Sequence, residues 1–301
     1  MRPFIAFLFR LLSLLSLLWL AMPTAFAAER GALYRVSLDG HVMHVFGTLH
    51  VGLPEFYPLE PRIADALAES STLALELDPA QPQAELARAL HSYGMLAPQD
   101  AGYEGMDPAR RALLDKLIRQ GGLNPAFGTR LKPVLLATML TLAEYTKQGY
   151  RNDLSSEAWL ARQARANKVR VVELESLDRQ LALLDRLPGA ERWRFLDEMM
   201  ASIDSGAQRV EARAMVQAWS SADRSALDSI AARCDADTSI SGSFVTQVLL
   251  KERNSGLAEG LLALLRKEQR TFAAIGVLHL LGKGSVPALL EEKGVSVERI
   301  Y

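Results

Sequence analysis

One cysteine, Cys234, is all the sequence offers, so no disulfide can close within the chain. A chain of this length needs none, because disulfide staples serve mainly short domains that cannot bury enough core. Charge of neither sign is in surplus. The 34 Lys and Arg residues face 35 Asp and Glu, a formal net charge of −1, and without a clustered basic excess a nucleic-acid partner is not expected. Several familiar catalytic signatures are missing too. The sequence has no His-Glu-x-x-His helix, no Gly-x-Ser-x-Gly elbow, no Gly-x-x-x-x-Gly-Lys phosphate loop and no Cys-x-x-Cys pair. Long apolar runs are absent beyond the amino terminus, so no stable membrane insertion is expected of the remainder.

The amino terminus has the layout of a secretory signal peptide. MRPFIAFLFR carries Arg2 and Arg10 and no acid, LLSLLSLLWLAM is apolar but short for a bilayer, and Ala25-Phe26-Ala27 is a small-x-small cleavage site. Residues 1–27 are therefore expected to be removed, in preference to serving as an uncleaved anchor. Residues 28–301 would then form a single domain exported across the inner membrane, into the periplasm.

Along that domain, Leu33–Leu38, Asp39-Gly40 and His41–Thr48 predict a β-hairpin with a tight Asp-Gly turn. TLALELDP, VRVVELES and TFAAIGVLH predict three further buried strands, and VSVERIY a last one. Two long helical blocks, about 81–167 and 178–268, separate them, each placing apolar residues three and four apart. In the second block SFVTQVLLKERN and GLAEGLLALLRKE predict a helix pair, with Arg253-Asn254 as an interruption. Strands alternating with helices predict an α/β fold, a central mixed sheet flanked by helices. The helical blocks exceed a minimal crossover and are expected to add a helical cap.

Histidine is scarce, five in the chain, yet three of them fall in HVMHVFGTLH. The last strands supply a comparison. VFGTLHVG and AIGVLHLLG each run from apolar residues into Gly-x-Leu-His, which gives His50 and His279 equivalent places in two distant segments. TLALELDP delivers Glu76, and VRVVELES delivers Glu173 and Glu175, placed on one face by strand alternation. Open α/β sheets build their sites beyond the carboxyl ends of their strands. Two imidazoles with one or two carboxylates there form a donor set for a divalent cation such as Mn²⁺, Co²⁺ or Zn²⁺. His50, His279 and Glu76 are the expected metal ligands. Glu76 is also the candidate general base, and Glu175 a second carboxylate. His41, after the turn, and His44, mid-strand, are expected to be structural. Gly282, Gly284 and Ser285 lead into a helix start, where free N–H groups favour an anion.

The combination of GTLHVG, LALELDP, VVELESLDRQ, the Glu-Arg-Asn stretch and AAIGVLHLLGKGS resembles the TraB/PrgY/GumN family, which includes the animal Tiki proteins. The resemblance spans nearly all of residues 28–301. It implies an α/β core like that of erythromycin-esterase-like and ChaN-like haem-binding proteins. It also implies a metalloprotease-like hydrolase with a peptide or protein substrate. Carried onto this chain, the family pattern points to His50, Glu76, Arg253 and His279, with Glu175 and Gln180 as further matches. Arg253 comes from the resemblance alone and would steady a substrate carbonyl or oxyanion. Two other readings share the scaffold: a non-catalytic binder of a peptide signal or haem, and a metal-free esterase-like hydrolase.

Overall fold

The computed structural model describes residues 28–97, 100 and 102–301; the expected signal peptide lies outside them. The hairpin forms as expected. Strands β1 (Leu33–Leu38) and β2 (His41–Thr48) pair antiparallel. Asp39 and Gly40 both take positive φ, 51° and 84°, the type I′ arrangement that suits two twisted strands. The further strands are β3 (Thr72–Leu75), β4 (Arg170–Glu173), β5 (Arg270–Gly276) and β6 (Ser296–Arg299). They complete one mixed sheet in the order β4-β3-β5-β2-β1-β6. Four neighbours, β4, β3, β5 and β2, run parallel, whereas β1 runs against both of its partners.

Parallel neighbours need crossovers, and helices supply them. The helix Pro61–Ala68 links β2 to β3. The first helical block links β3 to β4, and the second links β4 to β5. Two separate apolar clusters result. The larger is the sheet core, where Phe46, Leu73, Ala74, Phe272 and Ala274 are fully buried under Leu67, Leu160, Leu257 and Leu261. The smaller is mostly helical and joins Leu114, Ile118, Leu136, Phe195, Leu196 and Phe244. Its helices, Pro108–Gln120, Pro133–Lys147 and Gly189–Asp204, come from both blocks. The helical insertions thus have a core of their own.

Trp219 anchors the hairpin to the second block. Fully buried, it donates its indole N–H to the Gly47 carbonyl at 2.8 Å and meets Phe46 edge-on. That close approach requires glycine at position 31, where φ is 69° and a Cβ would stand 2.4 Å from the Gly47 carbonyl oxygen.

Two expectations are corrected. VRVVELES is not a buried strand: β4 is the sheet edge, with Arg170 and Glu173 exposed and Val171 and Val172 half-buried. The second block does not break at Arg253-Asn254 either. Helix runs from Ile240 through a π-helical stretch, Val245–Lys251, into Glu252–Lys267. Extra-residue turns of this kind absorb the change of phase without ending a helix, and they concentrate at functional sites. Arg253 and Asn254 follow it directly.

Candidate active site

The four parallel strands deliver their polar residues just past their carboxyl ends. Glu76 follows β3, Glu175 lies two residues past β4, and His50 two past β2. His279 sits on a 3-10 turn, Val277–Leu280, that continues β5 rather than on the strand itself. Laterally the order is Glu175, Glu76, His279, His50, because the strands stand in the order β4-β3-β5-β2. Gly276 lies at the centre. A Cβ there would be 3.2 Å from Glu76 Oε1, 3.5 Å from His279 Cδ2 and 3.8 Å from His50 Nε2, so its absence keeps the meeting point open.

Arg253 is the hub of the carboxylates. Its Nη2 donates to Glu76 Oε2 and, at 2.5 Å, to Glu175 Oε2, while Nε donates to Glu175 at 3.0 and 3.1 Å. Nη1 donates to the Leu249 carbonyl at 3.0 Å, inside the π-helical stretch. Gln180 Nε2 donates to Glu175 Oε2 at 2.9 Å. With a side chain 2 % exposed, Glu175 acts as an anchor for Arg253 and faces no open space. Glu76 also accepts from the Gly276 N–H at 2.5 Å. Burial works to raise its pKa, but His279, Arg253, His50 and the Gly276 N–H outweigh it and hold the carboxyl well below the usual range.

The two histidines are each held from behind. His279, 3 % exposed, places Nδ1 2.6 Å from Asn254 Oδ1 and Nε2 3.9 Å from Glu76 Oε1. Burial pushes its pKa down to about 4, against the pull of Glu76. It is neutral at neutral pH, so Arg253 and the protonated His50 are the cations that keep Glu76 ionised there. His50 places Nδ1 2.6 Å from Glu157 Oε1, and that carboxylate raises its pKa to about 9. Glu157 is buried in the first turn of the helix Ser156–Ala166, where a helix N-terminus favours negative charge. Its Oε1 makes no well-directed hydrogen bond, nor does the buried Thr48 Oγ1 beside it. The His50 side chain is 71 % exposed, so water screens the pair even though protein charges crowd the ring.

The expected residues His50, Glu76, Glu175, Gln180, Arg253 and His279 therefore meet at one end of the sheet. Glu173 does not join them. It points away from Glu175 and accepts from the Asp78 N–H and from Gln81, since the strand ends at Glu173 and alternation stops with it. His41 and His44 are remote: His41 Nδ1 meets the Leu265 carbonyl at 2.7 Å, and half-buried His44 lies opposite Arg35. Ser285 caps the short helix Val286–Glu292. Sequence reasoning missed Glu157 and gave Asn254 no partner. Ser-Ser-Glu at 155–157 is legible as a helix start, but nothing in it announces His50. Among the described residues no three His, Cys, Asp or Glu side chains stand close enough to hold a metal ion together.

Two curated relatives, both named "Uncharacterized protein YbaP", come from Escherichia coli (strain K12) and Shigella flexneri. Each is 24 % identical over 276 residues, covering 89 % of this chain and 97 % of the relative. No solved structure matches. A profile of the TraB/PrgY/gumN family matches residues 32–299, from the first strand to the last, and the chain belongs to that family.

Proposed function

We propose that the chain is an exported, divalent-metal-dependent hydrolase that cuts peptide bonds in the periplasm. The observation that carries this reading is the pose of the two histidines. Each has Nδ1 against a partner behind it and Nε2 turned to the space above Gly276, beside Glu76. Imidazoles fixed through one nitrogen by an amide or carboxylate are the usual form of metal-ligating histidine.

The donor set, two imidazoles and a carboxylate, fits such an ion in chemistry, and the three side chains would have to draw closer to hold it together. His50, His279 and Glu76 would hold it, and when bound it would supply Lewis acidity at the scissile carbonyl. Glu76, ionised between Arg253 and the Gly276 N–H, is the group able to accept a proton from water. Arg253 spends most of its donors on the two carboxylates and the Leu249 carbonyl, leaving one Nη1 hydrogen for a substrate oxygen. Its main work is to set Glu76 in place. Glu175 holds Arg253 in turn, and Gln180 holds Glu175.

The hold of Arg253 on Glu76 favours a second reading, a metal-free esterase-like enzyme in which Glu76 and neutral His279 activate water. Elemental analysis separates the two. The purified chain, stripped and reloaded with Mn²⁺, Co²⁺ or Zn²⁺ in turn, should retain one equivalent and cleave members of a peptide library. His50→Ala and His279→Ala should fold and lose both properties. Retention of no metal under any loading would sink the metal-dependent reading, and hydrolysis that survives chelation would favour the second.

A further inference from the structure

The histidine poses leave open which nitrogen of His279 carries the proton, and the surroundings of Asn254 answer it. We infer that Asn254 is a positioning residue that fixes the proton of neutral His279 on Nδ1 and so presents a bare Nε2 to Glu76. For its consequence in cation binding, this inference rests on the metal-dependent reading above.

The two ends of an asparagine amide are told apart by their partners. One end of Asn254 lies 2.8 Å from the Gly284 carbonyl oxygen. A carbonyl can only accept, so that end is the Nδ2 amide group. The other end, 2.6 Å from His279 Nδ1, is then Oδ1, and an amide oxygen can only accept in its turn. Nδ1 must be the donor. A neutral imidazole has one N–H, so Nε2 holds a lone pair.

The surroundings leave the amide little freedom to turn over. Asn254 is 2 % exposed and sits in the first turn of Glu252–Lys267, directly after the π-helical stretch. Its acceptor, Gly284, belongs to the Gly-Lys-Gly loop and takes φ of 69°. One side chain thus ties helix, loop and imidazole together.

The consequence lies on the far side of the ring. Nε2 stands 3.9 Å from Glu76 Oε1, and with the proton on Nδ1 both atoms are acceptors. Two facing acceptors are satisfied by a cation or a bridging donor between them. The opposite tautomer would let Nε2–H donate to Glu76 and close the site on itself. Asn254 keeps that pair open.

Nitrogen-15 NMR of histidine-labelled, chelator-treated chain distinguishes the tautomers, with His279 assigned by His279→Gln. The native ring should carry its proton on Nδ1. Asn254→Asp should preserve that tautomer, because a carboxylate also only accepts, and Asn254→Leu should lose it. In a Zn²⁺ titration the leucine variant should bind about 10–100-fold more weakly than the native chain, and the aspartate variant should recover most of the loss. A native ring protonated on Nε2 overturns the inference, as does an Asn254→Leu chain that folds and keeps the native tautomer. If the leucine variant does not fold, the native and aspartate spectra still decide. A native Nδ1 proton with no Zn²⁺ bound by any form would leave Asn254 its role and defeat the metal-dependent reading instead.

Discussion

Replacing Arg253 by leucine tests the electrostatics on which the site depends. The three side chains in this cluster are nearly closed to solvent, Arg253 at 12 %, Glu76 at 10 % and Glu175 at 2 %. Removing the cation leaves two carboxylates at adjacent strand ends with no positive charge between them. Breaking a buried pair from one side typically costs about 3–5 kcal/mol, against about 0–1 kcal/mol for an exposed pair. We expect the upper range for Arg253→Leu at pH 7, since it strands two carboxylates, read by urea unfolding with far-UV circular dichroism. The loss should shrink in acid. Without Arg253, Glu76 takes up a proton more readily than in the native chain, where it is held below its usual range. Removing Glu175 as well, in Arg253→Leu/Glu175→Leu, should restore part of the stability, because one uncompensated charge goes with it. A loss under about 1 kcal/mol, unchanged between neutral and mildly acidic pH, would refute the reasoning and reduce the cluster to a surface ion pair.

Three further outcomes follow from single positions. Gly276→Ala puts a methyl group 3.2 Å from Glu76 Oε1 and 3.5 Å from His279 Cδ2; it should cost about 1–3 kcal/mol and abolish Zn²⁺ binding and peptide hydrolysis, and retained activity would place the reaction elsewhere. The His50–Glu157 pair stabilises the fold while His50 is protonated, because its folded pKa is raised. That contribution is complete below pH 6.5 and lost as pH rises through about 9, so Tm should fall over this window in the native chain and less in Glu157→Gln. Equal slopes in the two would remove the pair from the account. At the hairpin tip, Gly40→Val forces a branched side chain into φ of 84° and should cost about 1–2 kcal/mol without changing metal affinity, as thermal unfolding and a Zn²⁺ titration would establish.

Much of this arrangement can be read from the sequence because parallel strands advertise themselves. Phe46, Leu73, Ala74, Phe272 and Ala274 are buried among residues buried on both faces, which produces the short apolar runs that mark β2, β3 and β5. A polar residue at the end of such a run is conspicuous, and His50, Glu76 and His279 were legible for that reason. The edge strand β4 broke the rule in the other direction. Its Val-Val pair looks like a core strand, but burial depends on whether a neighbour lies on the far side, and a local pattern carries no strand order. The supporting residues were hidden for a related reason. Glu157 is a helix-start glutamate like many others until the fold places it against His50. Asn254 looked like a helix breaker because a π-helical stretch, which depends on packing, absorbs the irregularity before it.

The strand order also explains how the roles divide. Neighbouring strands are about 4.8 Å apart, so the span from β4 to β2 across the site is about 14 Å. No single ion can touch side chains at both ends of that span without long reaches. Glu76 and His279 leave adjacent central strands, β3 and β5, and come within 3.9 Å of each other, which makes them the pair able to share one ligand or one proton. His50, one strand further on, approaches from the side over Gly276. The Glu175 carboxylate, two residues past the edge strand, is joined to the Glu76 carboxylate through the Arg253 guanidinium. β1 runs opposite to these four strands and so brings its amino end, not its carboxyl end, to this side. The inner pair is therefore placed for chemistry, His50 to join it from one side and Glu175 to support it from the other, and that division follows from sheet topology before any side chain is considered.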